Sequence, residues 1–270
     1  MPDLSIITCA SGRFPLYARH LAHLAKAVGA CQCEYSVTFW GDCEQHKAEL
    51  AKYKDAFYVV RVQDTPADPY FPLPQAMNAS LDLARADRCL VLMSEVVVQG
   101  DTLAWARSRP GRDAWFAGCI DSKDGKECVT PGHPGAFPYC MALPTDALRR
   151  IGGWDEAFSD GVVFDDVDLI LRLLASGIRC RWDFEQLVVH QAHERAHDTK
   201  TRSDHVAHNK ALVEQRLGGY PIADAWPAWW RELFTGQEKE FPELPGMAEQ
   251  NRLADALRQH GYPIKATRKT

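Results

Sequence analysis

The chain has no apolar run approaching the ~20 residues that cross a bilayer. Its opening, Met-Pro-Asp-Leu-Ser-Ile-Ile-Thr, carries neither a basic leader nor a long apolar core. A membrane span is therefore not expected, and a cytoplasmic location is. Excess positive charge is also missing. With a formal net charge of -5, the protein is not held to nucleic acid or anionic lipid by bulk charge, although a local basic patch would survive that average. The nine cysteines show no paired metal-type spacing, Cys31-x-Cys33 being too tight, and their odd number suits reduced thiols. Gly-x-Gly-x-x-Gly is absent too. The first loop reads Thr8-Cys9-Ala10-Ser11-Gly12-Arg13, which disfavours a nucleotide-dependent oxidoreductase, because those glycines are what let a backbone approach a pyrophosphate closely. Internal repeats and low-complexity tracts are lacking as well.

What remains is the pattern of an α/β protein: 270 residues with 46% hydrophobic content, enough for one large domain or a domain with an appendage. Residues 4–8 read as a buried strand that empties into the small-residue loop. Pro15 opens a helix whose Leu16, His20, Leu21, Leu24 and Val28 recur at helical spacing up to Gly29. Strands over 35–40 and 57–62 alternate with a helix over 44–53, and a helix over 75–84 leads to an apolar strand over 89–93. This alternation predicts parallel strands joined by right-handed crossovers. Asp42 falls at a strand's carboxyl end, where open parallel sheets present residues to ligands. Further elements are expected over 102–107, 114–120, 139–144, 146–151, 179–182 and 186–190, followed by polar helices over 194–217 and 243–260.

The most informative stretch is Ile151-Gly152-Gly153-Trp154-Asp155-Glu156-Ala157-Phe158, followed by Phe164-Asp165-Asp166-Val167-Asp168-Leu169-Ile170-Leu171-Arg172-Leu173. Its plainest account is a Gly-Gly turn leaving one helix and an acidic first turn opening the next, where exposed amides and the helix dipole favour carboxylates. A helix start needs one cap, however, not three aspartates beside a Gly-Gly-Trp turn. The segment resembles the acceptor-side signature of inverting glycosyltransferases with the GT-A fold, above all family 2 and the related galactosyltransferase C-terminal segment. That pattern is usually Glu-Asp-x-Asp, and Asp165 stands in place of the Glu. The resemblance covers roughly the first 190 residues.

The resemblance implies a GT-A-like, Rossmann-like, mostly parallel sheet flanked by helices. Residues 1–190 would form the transferase domain, with 1–98 as the nucleotide-binding half and 99–190 as the acceptor half, and 191–270 would be a helical extension. It implies Asp166 as catalytic base with Asp165 beside it, and Thr8, Ala10, Arg13, Asp42, Asn78, Ser94, Glu95 and Trp154 about a nucleotide-sugar donor. The family's Asp-x-Asp is replaced by Met93-Ser94-Glu95, so Glu95, with or without His190, is the implied ligand of Mn²⁺ or Mg²⁺. His193 and His197 lack the Glu of a zinc-protease helix, and no zinc site is expected. Without a metal, Arg13, Lys123 or Lys126 would have to offset the diphosphate charge. The expected activity is sugar transfer with inversion from a nucleoside-diphosphate sugar to a hydroxyl, by default on a saccharide or lipid-linked glycan. A protein or a DNA base is not excluded as acceptor. The alternative is a GT-A-like protein that binds a nucleotide-sugar or glycan without turnover. The loop over 121–138 is expected to close over the donor, the Trp226–Trp230 cluster to pack the appendage or meet the acceptor, and the 265–269 tail to fray.

Overall fold

The computed structural model describes residues 1–29, 31–65, 72–122, 127–129, 139–160, 164–193, 199–218 and 246–268. Lys123, Lys126, His197 and Trp226–Trp230, named above, lie outside them. Strand β1 (Leu4–Ala10) is buried along its whole length, as a strand must be when it is covered on both faces. On one side it pairs in parallel with β2 (Cys33–Trp40), which in turn pairs in parallel with β3 (Val59–Thr65). On the other side lies β4 (Arg88–Leu92), again parallel. Beyond β4 the sheet changes character. β8 (Cys140–Pro144) runs antiparallel to β4, β6 (Ala114–Asp121) antiparallel to β8, and β9 (Cys180–His190) parallel to β6. β5 (Val96–Val98) closes that edge antiparallel to β9, and β7 (Glu127–Val129) pairs with β6. The order is β3-β2-β1-β4-β8-β6-β9-β5. The parallel pattern thus holds for the first half, while the second half is mixed. The two short strands expected over 179–182 and 186–190 are one strand with an irregular register against β6 between Ala117 and Gly118.

Helices cover this sheet. In α1 (Phe14–Val28) the buried stripe is Tyr17, His20, Leu21, Leu24 and Val28, and the helix stops at Gly29 with φ 52°. Then come α2 (Glu44–Tyr53), α3 (Leu73–Leu83), α4 (Thr102–Ser108), α5 (Thr145–Arg150), α6 (Asp165–Ala175), α7 (Thr199–Arg216) and α8 (Gly246–Gln259). α3 packs on β1 and β2, and α8 packs on α6. No helix among the described residues is long and apolar enough to cross a membrane. The cysteines of the described residues are free thiols, as their number suggested.

The Gly-Gly-Trp turn is clamped from three sides. Gly152 and Gly153 take φ of 81° and 74°, a conformation open to glycine and costly for other residues. From α3, Asn78 donates through Nδ2 to the Trp154 carbonyl (2.8 Å) and to Glu156 Oε1 (2.7 Å), and its Oδ1 accepts from the Trp154 amide (2.8 Å). From α6, the fully buried Arg172 donates to the carbonyls of Ile151 (3.0 Å) and Gly153 (2.7 Å) and through Nε to Asp168 (2.6 Å). From the C-terminal end, the amide of Ala266 donates to Ile151 (2.8 Å) and the amide of Glu156 to Thr267 (2.9 Å). Arg268 also reaches Glu156 and Asp82. Residues 266–268 are therefore tied to the motif, correcting the expectation of a frayed end.

Asn78 comes so close that a Cβ on Gly153 would sit 2.2 Å from its Oδ1, whereas a Cβ on Gly12, at φ 55°, would meet nothing within 4 Å. Gly153→Ala is accordingly expected to cost ~3 kcal/mol or more, combining left-handed strain with loss of the Asn78 bonds. Gly12→Ala should cost only about 1 kcal/mol, from backbone strain alone. Urea unfolding of the two variants checks this contrast; equal losses would show that the close approach is unimportant.

Candidate functional site

The carboxyl ends of β1, β2 and β4 face one edge of the sheet, and the order reverses about β1, the switch point at which open α/β sheets form ligand crevices. Two segments distant in sequence meet there. The turn after β4 brings Ser94 and Glu95, the end of β9 brings His190, and the chain just beyond it brings His193. Val96 pairs with His190 across β5 and β9, and the Gln191 amide donates to the Glu95 carbonyl at 2.9 Å. Gln191 also donates through its side chain to the Leu16 carbonyl of α1 (2.9 Å). Beneath them, buried His20 bonds through Nδ1 to the Val96 carbonyl at 2.7 Å. Burial, above all, lowers the pKa of His20 to about 4, so the ring is neutral and donates.

One ligand atom each from Glu95, His190 and His193 lie within 4.8 Å of one another, and all three residues are half-buried. Two ligands held about 2.1 Å from one ion are roughly 3–4.3 Å apart, so a small rotamer change closes the set. The donors fit a divalent cation. One hard carboxylate oxygen with two imidazole nitrogens suits Mn²⁺ better than Mg²⁺, which prefers oxygen throughout. His193 was set aside because, with His197, it lacks the Glu of a zinc-protease helix. The chain over 191–193 is irregular rather than helical, and the two rings lie 5.1 Å apart between centroids. The available signal was two histidines directly after a strand that abuts the Glu95 turn.

Arg13 approaches this set from the first loop. Its Nη1 lies 3.2 Å from His193 Nε2 and 3.9 Å from Glu95 Oε1. Its backbone is left-handed, φ 46°, and the only other non-glycine residue with positive φ among the described residues is Phe164, φ 66°. Phe164 directly precedes Asp165 and Asp166. Strain of this kind concentrates where geometry serves function.

The three aspartates of α6 divide into two kinds. Asp168 is fully buried and saturated: besides Arg172 it accepts from Arg216 (2.8 Å) and from the Tyr262 hydroxyl (2.8 Å). Arg216 also pairs with Asp155 at 2.9 Å. Asp165 and Asp166 are buried as well, yet no cation among the described residues pairs with them. Asp166 Oδ1 accepts from the Val167 amide (2.8 Å). Burial raises the pKa of Asp165 to about 6, with the charge of Asp168 adding to it. Burial and then the neighbouring Asp165 raise Asp166 well above the carboxylate range. The buried Cys9 thiol near the end of β1 is raised first by burial and then by the charges of Glu95 and Asp165.

Several expected donor contacts are corrected. Thr8, Asn78 and Trp154 are fully buried. Ser80 of α3 donates to the Thr8 carbonyl (2.5 Å), while every polar group of the Asn78 side chain is spent on the motif turn. These residues form the framework below the crevice. Ala10 is buried at the last position of β1, with only its backbone near the loop. Asp42 is exposed after β2, and its Oδ1 accepts from the Glu44 amide (3.4 Å) at the start of α2. Ser94 is half-buried beside Glu95.

The raised pKa of Asp165 has a stability consequence. Between the ordinary value of 3.8 and about 6, the folded state binds more protons than the unfolded state, so this stabilisation is present at low pH and lost as pH rises. Asp165→Asn is therefore expected to raise Tm by a few degrees at pH 7.5 and to lose that gain near pH 4. Thermal melts in chelator across this range check it; a lower Tm at pH 7.5 would contradict it.

No protein-family model matches the chain, and no curated protein matches it by sequence. Solved structures do. The mannosyltransferase PcManGT from Pyrobaculum calidifontis, in complex with GDP-Man and Mn²⁺, aligns with TM-score 0.59 at 14% identity, over 97% of this chain and 87% of that one. S. aureus TarS 1-349 in complex with UDP-GlcNAc aligns with TM-score 0.60 at 15% identity, over 95% and 80%. TarS 1-349 with UDP gives 0.57 at 13%, over 95% and 87%. The chain has the GT-A-like α/β fold that these glycosyltransferases share, the fold its Gly-Gly-Trp-Asp-Glu and Asp-Asp-Val-Asp segments resemble.

Proposed function

We propose that the protein is a glycosyltransferase that moves a sugar from a nucleoside-diphosphate donor to an acceptor hydroxyl with inversion. One observation carries the reading. At the carboxyl-end edge of the sheet, Glu95, His190 and His193 form a set able to hold a cation, and α6 opens with Asp165 and Asp166 buried and, among the described residues, without a cationic partner. The fold likeness supports it, since the neighbours carry GDP-Man, UDP or UDP-GlcNAc.

In this reading Asp166 accepts the acceptor's hydroxyl proton. The freed oxygen attacks the anomeric carbon on the face opposite the leaving group, the new C–O bond forms, and the bond to the diphosphate breaks with its electron pair leaving on the phosphate. Burial keeps Asp166 basic, because desolvation disfavours its charged form. Asp165 holds negative charge close to Asp166, which keeps its proton affinity high. Glu95, His190 and His193 would hold a divalent cation, whose charge would offset that developing on the diphosphate. Asp42, Ser94 and Arg13 rim the same edge and are assigned to the donor.

Asp166→Asn is expected to reduce transfer by at least about 1,000-fold with donor affinity nearly unchanged, because the amide keeps the shape but accepts no proton. In the wild type, the acid limb of the kcat/KM profile should lie above the usual carboxylate range, since the base must be deprotonated to work. A variant with wild-type turnover would remove Asp166 from the role. Hydrolysis or transfer assayed with GDP- and UDP-sugars also separates a catalyst from a protein that only binds them.

The cation assignment is tested independently. EDTA should abolish activity and Mn²⁺ restore it, and His193→Ala should weaken Mn²⁺ binding by at least about 10- to 100-fold, the loss that removing even an outer-shell partner causes. Full activity in chelator would exclude the cation's part in the reaction.

A further inference from the structure

The guanidinium of Arg13 occupies the ground that a cation between Glu95 and His193 would take. Its Nη1 donates to His193 Nε2 at 3.2 Å and lies 3.9 Å from Glu95 Oε1. That nitrogen's single lone pair serves a metal or a hydrogen bond, not both. The contact is also reached at a cost, because Arg13 holds a left-handed backbone, φ 46°, directly before the first turn of α1. The position is fixed on both sides. His46 bonds to the Gly12 carbonyl at 2.6 Å, and the amides of Leu16 and Tyr17 bond to the Arg13 carbonyl (2.9 and 3.3 Å). The backbone of Arg13 is therefore anchored while its side chain stays partly exposed and can change partners.

From this arrangement we infer that Arg13 is a surrogate cation: it holds Glu95 and His193 together while the metal site is empty, and is released toward the donor's diphosphate when a divalent cation enters. The inference rests on the cation assignment made above. In the empty state one positive charge spaces a carboxylate and an imidazole that would otherwise drift apart. Entry of a cation replaces that charge with two, and electrostatic repulsion drives the guanidinium off. The donor's phosphate oxygens are then strong acceptors for it, and a guanidinium meets such oxygens in a forked geometry. Cation and diphosphate binding are thereby coupled through one side chain.

The coupling predicts opposite signs for one substitution. Without nucleotide, Arg13→Ala should bind Mn²⁺ more tightly than the wild type, by about five-fold, because a partly exposed competitor has been removed. With saturating Mn²⁺, the same variant should bind GDP or UDP, whichever the wild type takes, about ten-fold more weakly, because a charge-assisted contact is gone. A side chain that merely props up the loop would weaken both. Mn²⁺ affinity is read by the free-ion electron paramagnetic resonance signal and nucleotide affinity by calorimetry, with Arg13→Gln as a second variant and thermal melts confirming the fold. Mn²⁺ binding that is lost in Glu95→Gln but equal in Arg13→Ala, Arg13→Gln and wild type would overturn the surrogate role alone. A wild type that binds nucleotide but no Mn²⁺ would overturn the cation assignment and the inference with it.

Discussion

The acidic half of this site depends on the buried contact between Arg172 and the Gly-Gly-Trp turn. Arg172 is completely enclosed, and its guanidinium reaches two backbone carbonyls and the carboxylate of Asp168 one helical turn earlier. A buried ion pair is not a stabiliser by default, since taking both charges out of water costs several kcal/mol per ion. Here the remaining lone pairs of Asp168 are filled by Arg216 and Tyr262, from α7 and from the segment after α8. The carbonyls that receive Arg172 belong to residues in and beside the left-handed pair, where strand and helix ladders cannot satisfy them. The network therefore fixes the turn, the first acidic helix and the C-terminal helices in one arrangement.

This arrangement explains why a helix begins with three aspartates. Asp168 is held by cations and belongs to the framework. Asp165 and Asp166 sit just before it, buried and without cationic partners among the described residues, so desolvation outweighs the backbone hydrogen bonds they accept and raises both pKa values. The carboxylates of this helix thus fall into one held by cations and two that no described cation meets. The left-handed Phe164 aims the unpaired two.

The cation set shows the complementary logic. None of Glu95, His190 and His193 is fully buried, and each comes from the end of a strand or the chain just past one. Their meeting is set by backbone pairing: β5 against β9 aligns Val96 with His190, and the Gln191 amide locks onto Glu95. Side chains at such an edge remain reachable by a phosphate-bearing ligand, while the backbone under them is rigid. Arg13, half-exposed on an anchored loop, is the adaptable member of the group.

The sequence by itself determined the first half of the sheet, because apolar strands alternating with amphipathic helices admit little except parallel crossovers. It also determined the acidic helix and the left-handed glycines, whose chemistry is local. Only the tertiary structure decided the rest. The antiparallel pairing of β8 and β5 depends on contacts between segments far apart in the chain, to which local periodicity is blind. Asn78 and Trp154 were read as ligand-facing, yet close approach of α3 to Gly153 turned both inward. His193 became a candidate ligand because the chain just past β9 brings its ring beside that of His190. Asp168 looks the same as Asp165 and Asp166 in the sequence. It differs because Arg216 and Tyr262 arrive beside it from 48 and 94 residues away, and charge pairing at that separation is settled by packing alone.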